Sequence, residues 1–166
     1  MSDGRRPVPV TVRRCIGALG AAFVLALTGC APTVDLQPAP EATRVDCAAV
    51  VVRLPAAVAG LQRRETNAQG TGAWGSPAAV VLRCGVPVSG PTTRPCFTFE
   101  GVDWVAQNTA GRRVRFDSFG RSPQLEAVVD GTRVNPADVL AELSAAIRPA
   151  VSSPFMRCLG SSSPAP

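Results

Sequence analysis

A short apolar run that ends near a cysteine places the strongest constraint on what this chain can fold into. The run is Ile16–Leu27, and as a helix it spans about 18 Å. The hydrocarbon core of a bilayer is about 30 Å thick and needs about 20 helical residues. The run is therefore too short for a stable transmembrane helix. Arginines precede it and prolines follow it, which is typical of a secretory signal rather than a buried helix.

The end of this run, Leu27-Thr28-Gly29-Cys30, resembles the lipobox of bacterial lipoproteins, in which the cysteine receives diacylglycerol before the signal is cleaved. The resemblance predicts that residues 1–29 are a signal peptide and that Cys30 is lipidated. Two or more acyl chains anchor a protein stably, so we expect it on the outer, extracytoplasmic face of the cell membrane. Arg13-Arg14 faintly resembles a twin-arginine export signal. Since Val12 stands where that signal prefers Ser or Thr, the general secretory route is favoured, and both routes stay open.

The basic charge of the chain belongs largely to the segment before Cys30. The whole chain has 17 basic and 12 acidic residues, for a net charge of +5. The predicted signal carries four arginines and one aspartate, which leaves 13 arginines, 11 acids and a net charge of +2. No basic stripe with interleaved aromatics is present. We therefore predict no nucleic-acid partner.

Histidine, lysine and tyrosine are absent from the sequence. Without histidine there is no Ser-His-Asp triad, no Cys-His pair and no histidine-ligated zinc. Without lysine there is neither a Schiff base nor a P-loop lysine. These absences favour a protein that is not an enzyme and that carries no cofactor or metal.

Four cysteines remain after the signal and Cys30 are set aside: Cys47, Cys84, Cys96 and Cys158. An even number outside the cell predicts two disulfides. A metal site is disfavoured because no CxxC pair and no histidine are present. Spacing alone leaves three pairings open.

The predicted organisation is a proline-rich, poorly packed spacer at 30–45, a single domain at 46–160 and a disordered tail at 161–166. A first helix is expected to begin at Cys47, capped by Asp46 and stopped by Pro55. The last helix has Asn135 as its cap and runs to Pro149.

Between these helices the pattern predicts strands. The predicted strands are Ala78–Arg83, Cys96–Glu100, Val102–Gln107, Arg112–Phe119 and Leu125–Val129, and the predicted loops are Leu61–Gly75 and Gly85–Pro95. Because strands follow one another without intervening helices, the sheet should be mainly antiparallel. We expect an α+β fold, a small two-layer sandwich with the N-terminal and C-terminal helices on one face. The opposite face is then solvated or a binding surface.

Several motifs make the chain similar to an actinobacterial family of secreted proteins, domain-of-unknown-function family 3515. They are Ala73–Gly85 (AWGSPAAVVLRCG), Cys47 with Leu54-Pro55, Gly101-Val102-Asp103-Trp104, and Phe119-Gly120-Arg121. Ser76 stands where an acid is common in the family, and Phe119 stands where Tyr is common. The resemblance implies a fold and a location but brings no established activity.

The resemblance also bears on the disulfides, because Cys47 and Cys84 are the two cysteines at family-typical positions. A helix followed by a strand that doubles back would also bring these two together. Cys47–Cys84 with Cys96–Cys158 is therefore favoured. The alternative, Cys84–Cys96 with Cys47–Cys158, remains open.

Three side chains are candidates for binding on chemical grounds. Arg83 interrupts an apolar strand, so it can act as an anion clamp or pair with Asp103, Glu100 or another acid. Trp74 and Trp104 can line a ligand groove or lie in the core.

The carboxylates Glu100, Asp103 and Asp117 are candidates for a paired acid/base site of the glycosidase type. Asp103 is also a candidate binding residue, as is Arg121 of the Phe119-Gly120-Arg121 motif. Together these features predict a lipid-anchored, non-enzymatic binding or accessory domain of the cell envelope. Its partners would be the membrane, through the lipid, and an envelope glycan or protein. The alternative is a carboxylate-dependent hydrolase acting on envelope glycans.

Overall fold

The computed structural model describes residues 32–107 and 111–159, all within one compact unit at residues 31–166. The predicted signal peptide, Cys30 and the predicted tail lie outside the described residues. Over the described ranges, no helix has the length and apolar character needed to cross a membrane.

One eight-stranded antiparallel sheet and two α-helices make up the described fold, so the predicted α+β class and antiparallel pairing are confirmed. The elements are α1 Val45–Val51, β1 Ala57–Val58, β2 Leu61–Arg64, β3 Thr71–Trp74, β4 Val80–Val86, β5 Cys96–Phe99, β6 Val102–Ala106, β7 Arg113–Ser118, β8 Gln124–Asp130 and α2 Pro136–Ile147, followed by a 3-10 turn at Arg148–Ala150. The spatial order is β1-β2-β3-β4-β8-β7-β6-β5. Two meanders, β1–β4 and β5–β8, thus join through the long β4–β8 pair.

The prediction that Leu61–Gly75 is a loop was wrong, because β2 and β3 lie within it. Neither strand has a strong local signal: β2 reads LQRR and β3 reads TGAW. Strand pairing supplies what local propensity lacks: β2 pairs with β3, and β3 pairs with the long β4, where Ala73 lies opposite Val81.

The two helices differ in how well their starts were predicted. α2 begins as expected, with Asn135 Oδ1 accepting a hydrogen bond from the Ala137 amide at 3.1 Å. α1 begins earlier than expected, with Arg44 at the cap position and no side-chain cap. Asp46 lies in its first turn and pairs with Arg44 instead.

Alternate residues along the strands form one continuous core. In β4 and β8 the core residues are Val80, Leu82, Cys84, Leu125, Ala127 and Val129. Both helices contribute to the same cluster, through Cys47 and Val50 of α1 and Val139, Leu140, Leu143 and Ile147 of α2. The intervening strand residues, Arg83 and Glu126 among them, therefore point to the other side of the sheet.

Two disulfides connect the fold. Cys47–Cys84 joins α1 to β4 with 5.6 Å between the Cα atoms. Cys96–Cys158 joins β5 to the C-terminal segment with 6.1 Å between the Cα atoms. This is the favoured one of the two pairings left open by the sequence.

Part of the predicted spacer packs against the sheet rather than standing away from it. Ala39 and Ala42 are buried together with Val86. The Glu41 amide donates a hydrogen bond to the Gly85 carbonyl at 3.0 Å. Small side chains let this proline-rich segment approach the β4 backbone closely, so the prediction of poor packing was wrong here.

Candidate functional site

A row of residues crosses the sheet on the face opposite the core. Arg83 of β4 is in register with Glu126 of β8, which is in register with Asp117 of β7. Asp117 is in turn in register with Val105 of β6. Cross-strand neighbours on one face have Cβ atoms about 5 Å apart, so this register brings the charged side chains into contact.

Ion pairs join the members of this row. Arg83 donates to Glu126 Oε1 through Nε at 2.8 Å and Nη2 at 2.7 Å. Arg115 Nη1 lies 3.6 Å from Glu126 Oε2, and Arg115 Nε lies 3.7 Å from Asp117 Oδ1. Arg83 therefore pairs with an acid, as one of the two predictions had it, and that acid is Glu126.

Asp117 is the least satisfied member of the row. Its carboxylate is buried, and within the described ranges Oδ1 accepts no hydrogen bond. Burial raises the pKa of Asp117 to about 6, opposed by Arg115 and reinforced by the charge of Glu126. A buried carboxyl group whose pKa lies near neutral pH is a common feature of functional sites.

Replacing Asp117 by Asn should stabilise the fold at neutral pH. The folded state holds the Asp117 proton more tightly than the unfolded state between pH 3.8 and about 6, so stability falls as pH rises through this window. This pKa shift corresponds to a loss of at most about 3 kcal/mol in the free energy of unfolding at neutral pH. Solvent screening reduces that loss to about 1 kcal/mol. Urea unfolding should show Asp117→Asn more stable by about 1 kcal/mol near pH 7, with the difference vanishing near pH 4.

The control for loss of one charge is Asp138→Asn, which removes an exposed carboxylate from the first turn of α2. Asp138→Asn should show no increase in the free energy of unfolding near pH 7. A loss of stability in Asp117→Asn at neutral pH would contradict the assignment.

A groove of about 340 Å³ lies over the charged row. Besides Arg83, Arg115, Asp117 and Glu126, its lining residues are Pro40, Val86, Pro87, Ser89 and Gln107. The wall is held by Gln124, which is buried: its Oε1 accepts from the Ser89 amide at 2.6 Å and its Nε2 donates to Ser89 Oγ at 2.8 Å. The packed segment around Pro40 supplies the opposite wall.

The other polar binding candidates hold the C-terminal segment in place. Asp103 is buried and accepts hydrogen bonds from Thr98 Oγ1 at 2.6 Å and from the Cys158 amide at 3.1 Å. Arg121 is also buried and donates to the carbonyls of Ser152 and Gly101, each at 2.6 Å. Burial, followed by the nearby charge of Arg157, lowers the pKa of Arg121. These bonds hold the C-terminal segment against the fold, and ligand binding by these two side chains stays a prediction.

Both tryptophans lie in the core, which is one of the two alternatives that the sequence left open. Trp74 and Trp104 are fully buried. Trp74 Nε1 donates to the Pro55 carbonyl at 3.0 Å, and Trp104 Nε1 donates to Ser144 Oγ at 2.8 Å. Each indole nitrogen therefore finds its partner inside the protein.

The three carboxylates considered together in the sequence occupy different environments. Glu100 lies exposed in the turn between β5 and β6, Asp103 is covered by the C-terminal segment, and Asp117 lines the groove. The cross-strand neighbour of Asp117 is Glu126, which was not among the carboxylates singled out from the sequence. A usable signal existed, because Glu126 alternates with the core residues Leu125 and Ala127.

No group of three His, Cys, Asp or Glu side chains that could hold a metal ion occurs in residues 32–107 and 111–159.

The comparisons with known proteins identify a family and nothing finer. The profile of the family described as "Protein of unknown function (DUF3515)" matches residues 8–154. Neither the curated proteins nor the solved structures contain a match to the chain.

Proposed function

We propose that this chain, which belongs to the DUF3515 family of proteins of unknown function, is a lipid-anchored binding protein on the extracytoplasmic face of the cell membrane. The anchor rests on the lipobox-like Leu27-Thr28-Gly29-Cys30. Two disulfides in a domain this small support an oxidising compartment outside the cytosol.

The observation that carries the binding role is the charged groove on the polar face of the sheet. We take the fold as a two-layer arrangement in which both helices cover one face and leave the other for a partner. The partner is an envelope glycan or an envelope protein. The sequence contains neither histidine nor lysine, which favours a binding domain over an enzyme.

A photo-crosslinking amino acid at Pro87 tests this proposal in intact cells. Pro87 is exposed and lines the groove, so a bound envelope component should be captured there. The matched control is the same amino acid at Val52, which is 78% exposed at the C-terminal end of α1 and is not among the residues that line the groove. We expect an adduct in the membrane fraction from position 87 and none from position 52.

The anchor is tested in the same cells by Cys30→Ala, which should release the protein from the membrane fraction and abolish the adduct. Cys15→Ala, which removes the cysteine within the predicted signal, should leave both unchanged. Identical adducts from positions 87 and 52, or membrane retention of Cys30→Ala, would contradict the proposal.

A carboxylate-dependent hydrolase acting on envelope glycans is a second candidate, and one observation favours it. The raised pKa of Asp117 suits a general acid, and Glu126 stands beside it in the β7–β8 register. Paired carboxylates about 5–10 Å apart are the usual arrangement in glycosidases. Release of shortened oligosaccharides by the wild type, lost in Asp117→Asn, would establish this activity.

A further inference from the structure

Asp117 is one of the residues that line the groove. Its Oδ1 is almost fully buried and accepts no hydrogen bond from the residues that the structure describes. Arg115 Nε, at 3.7 Å, is beyond hydrogen-bonding distance. A buried acceptor without a donor is unfavourable. A ligand that donates an O–H or N–H group to this oxygen would remove that cost.

The charges around Asp117 restrict what kind of donor the ligand can carry. Three positive charges act on Asp117: Arg115 of the same strand, Arg83 of β4 and Arg94 of the segment before β5. One negative charge, that of Glu126 on β8, opposes them. Three guanidinium groups thus face two carboxylates. A cationic donor would meet an excess of positive charge, while a purely anionic ligand would have nothing to donate. A neutral hydroxyl fits both conditions.

The row combines carboxylates with guanidinium groups, and this combination also suits a ligand with hydroxyl groups. A hydroxyl donates one hydrogen bond and accepts others, so it can satisfy a carboxylate and a neighbouring N–H donor at once. Pro40, Val86 and Pro87 give the groove an apolar wall beside this polar floor. A sugar ring has the same two characters, with hydroxyls at its rim and C–H groups on its faces. The volume of about 340 Å³ is at the lower end of small-molecule sites, which suits a short stretch of a longer chain.

We propose that the groove binds a carbohydrate, one hydroxyl of which donates a hydrogen bond to Asp117 Oδ1. This inference rests on the proposed function and narrows its partner to a glycan.

Isothermal titration calorimetry on the full chain, purified in detergent, tests the inference. The probes are chitotetraose, a mannan oligosaccharide and an arabinan oligosaccharide, with spermidine as the cation and succinate, which has no hydroxyl group, as the anion. The wild type should bind at least one of the oligosaccharides. Asp117→Asn keeps an acceptor oxygen but loses its charge, so its affinity should fall about tenfold. Asp138→Asn, which removes an exposed carboxylate on α2, should bind like the wild type.

The pH dependence gives a second readout. Protonation of Asp117 weakens the acceptor, so the wild type should bind more weakly near pH 5 than near pH 7.5, and Asp117→Asn should not change between them. Unfolding curves of each variant verify that it is folded.

Three results would overturn the inference: no oligosaccharide binding, equal affinity of wild type and Asp117→Asn, or binding of spermidine or succinate in place of the sugars. If the sugars fail while crosslinking at position 87 captures an envelope protein, the glycan inference is wrong and the binding role stands. If both experiments fail, the binding role is wrong as well.

Discussion

Replacing Cys47 and Cys84 together by Ala should lower the free energy of unfolding by about 4 kcal/mol. The bridge joins residues separated by 37 positions, so its loss restores a large loop entropy to the unfolded chain. Both cysteines are fully buried in the core. α1 has only seven residues, too few to be stable without its attachment to the sheet. Urea unfolding of the double variant measures the effect.

The matched control is the double replacement of Cys96 and Cys158, which removes one bridge but leaves α1 joined to β4. Amide hydrogen exchange separates the two variants. The amides of α1 should exchange fast when Cys47–Cys84 is absent and should remain protected in the control. Protection of α1 in both variants would show that packing alone holds this helix.

Replacing Gly85 by Ala should destabilise the protein by at least about 3 kcal/mol. Gly85 has a φ of +89°, and an added Cβ would lie 2.4 Å from the Glu41 carbonyl carbon and 2.6 Å from its oxygen. Backbone cannot yield as a flexible side chain does, and the Glu41 amide is itself hydrogen-bonded to the Gly85 carbonyl. Thermal unfolding should show the loss directly.

Gly60→Ala separates backbone strain from the steric clash. Gly60 has a similar φ of +75°, but no atom lies within 4 Å of where its Cβ would be. Gly60→Ala should therefore lower the free energy of unfolding by only about 1–2 kcal/mol, the cost of a left-handed backbone conformation in a residue with a Cβ. Equal losses in the two variants would mean that the segment around Glu41 moves aside, and that the packing of residues 39–42 contributes little.

Local chemistry was enough to find part of the site. Arg83 was recognisable as a charge within an apolar strand, and Asp117 as one of three candidate carboxylates. Glu126 went unrecognised: its alternation with Leu125 and Ala127 was visible, but its pairing with Arg83 depends on the strand register. The tryptophans were ambiguous for a related reason, since an indole suits a groove and a core equally well.

By itself the sequence determined the elements whose signals are local. These are the start of α2, where Asn135 and Pro136 act within one turn, and the presence of strands at β7 and β8. Only the tertiary structure decided the order and register of the strands. Arg83 and Glu126 are 43 residues apart, and a shift of one residue in the β4–β8 pairing would send every side chain of one strand to the opposite face. The charged groove exists because that register is held by the whole core, which no short stretch of sequence encodes.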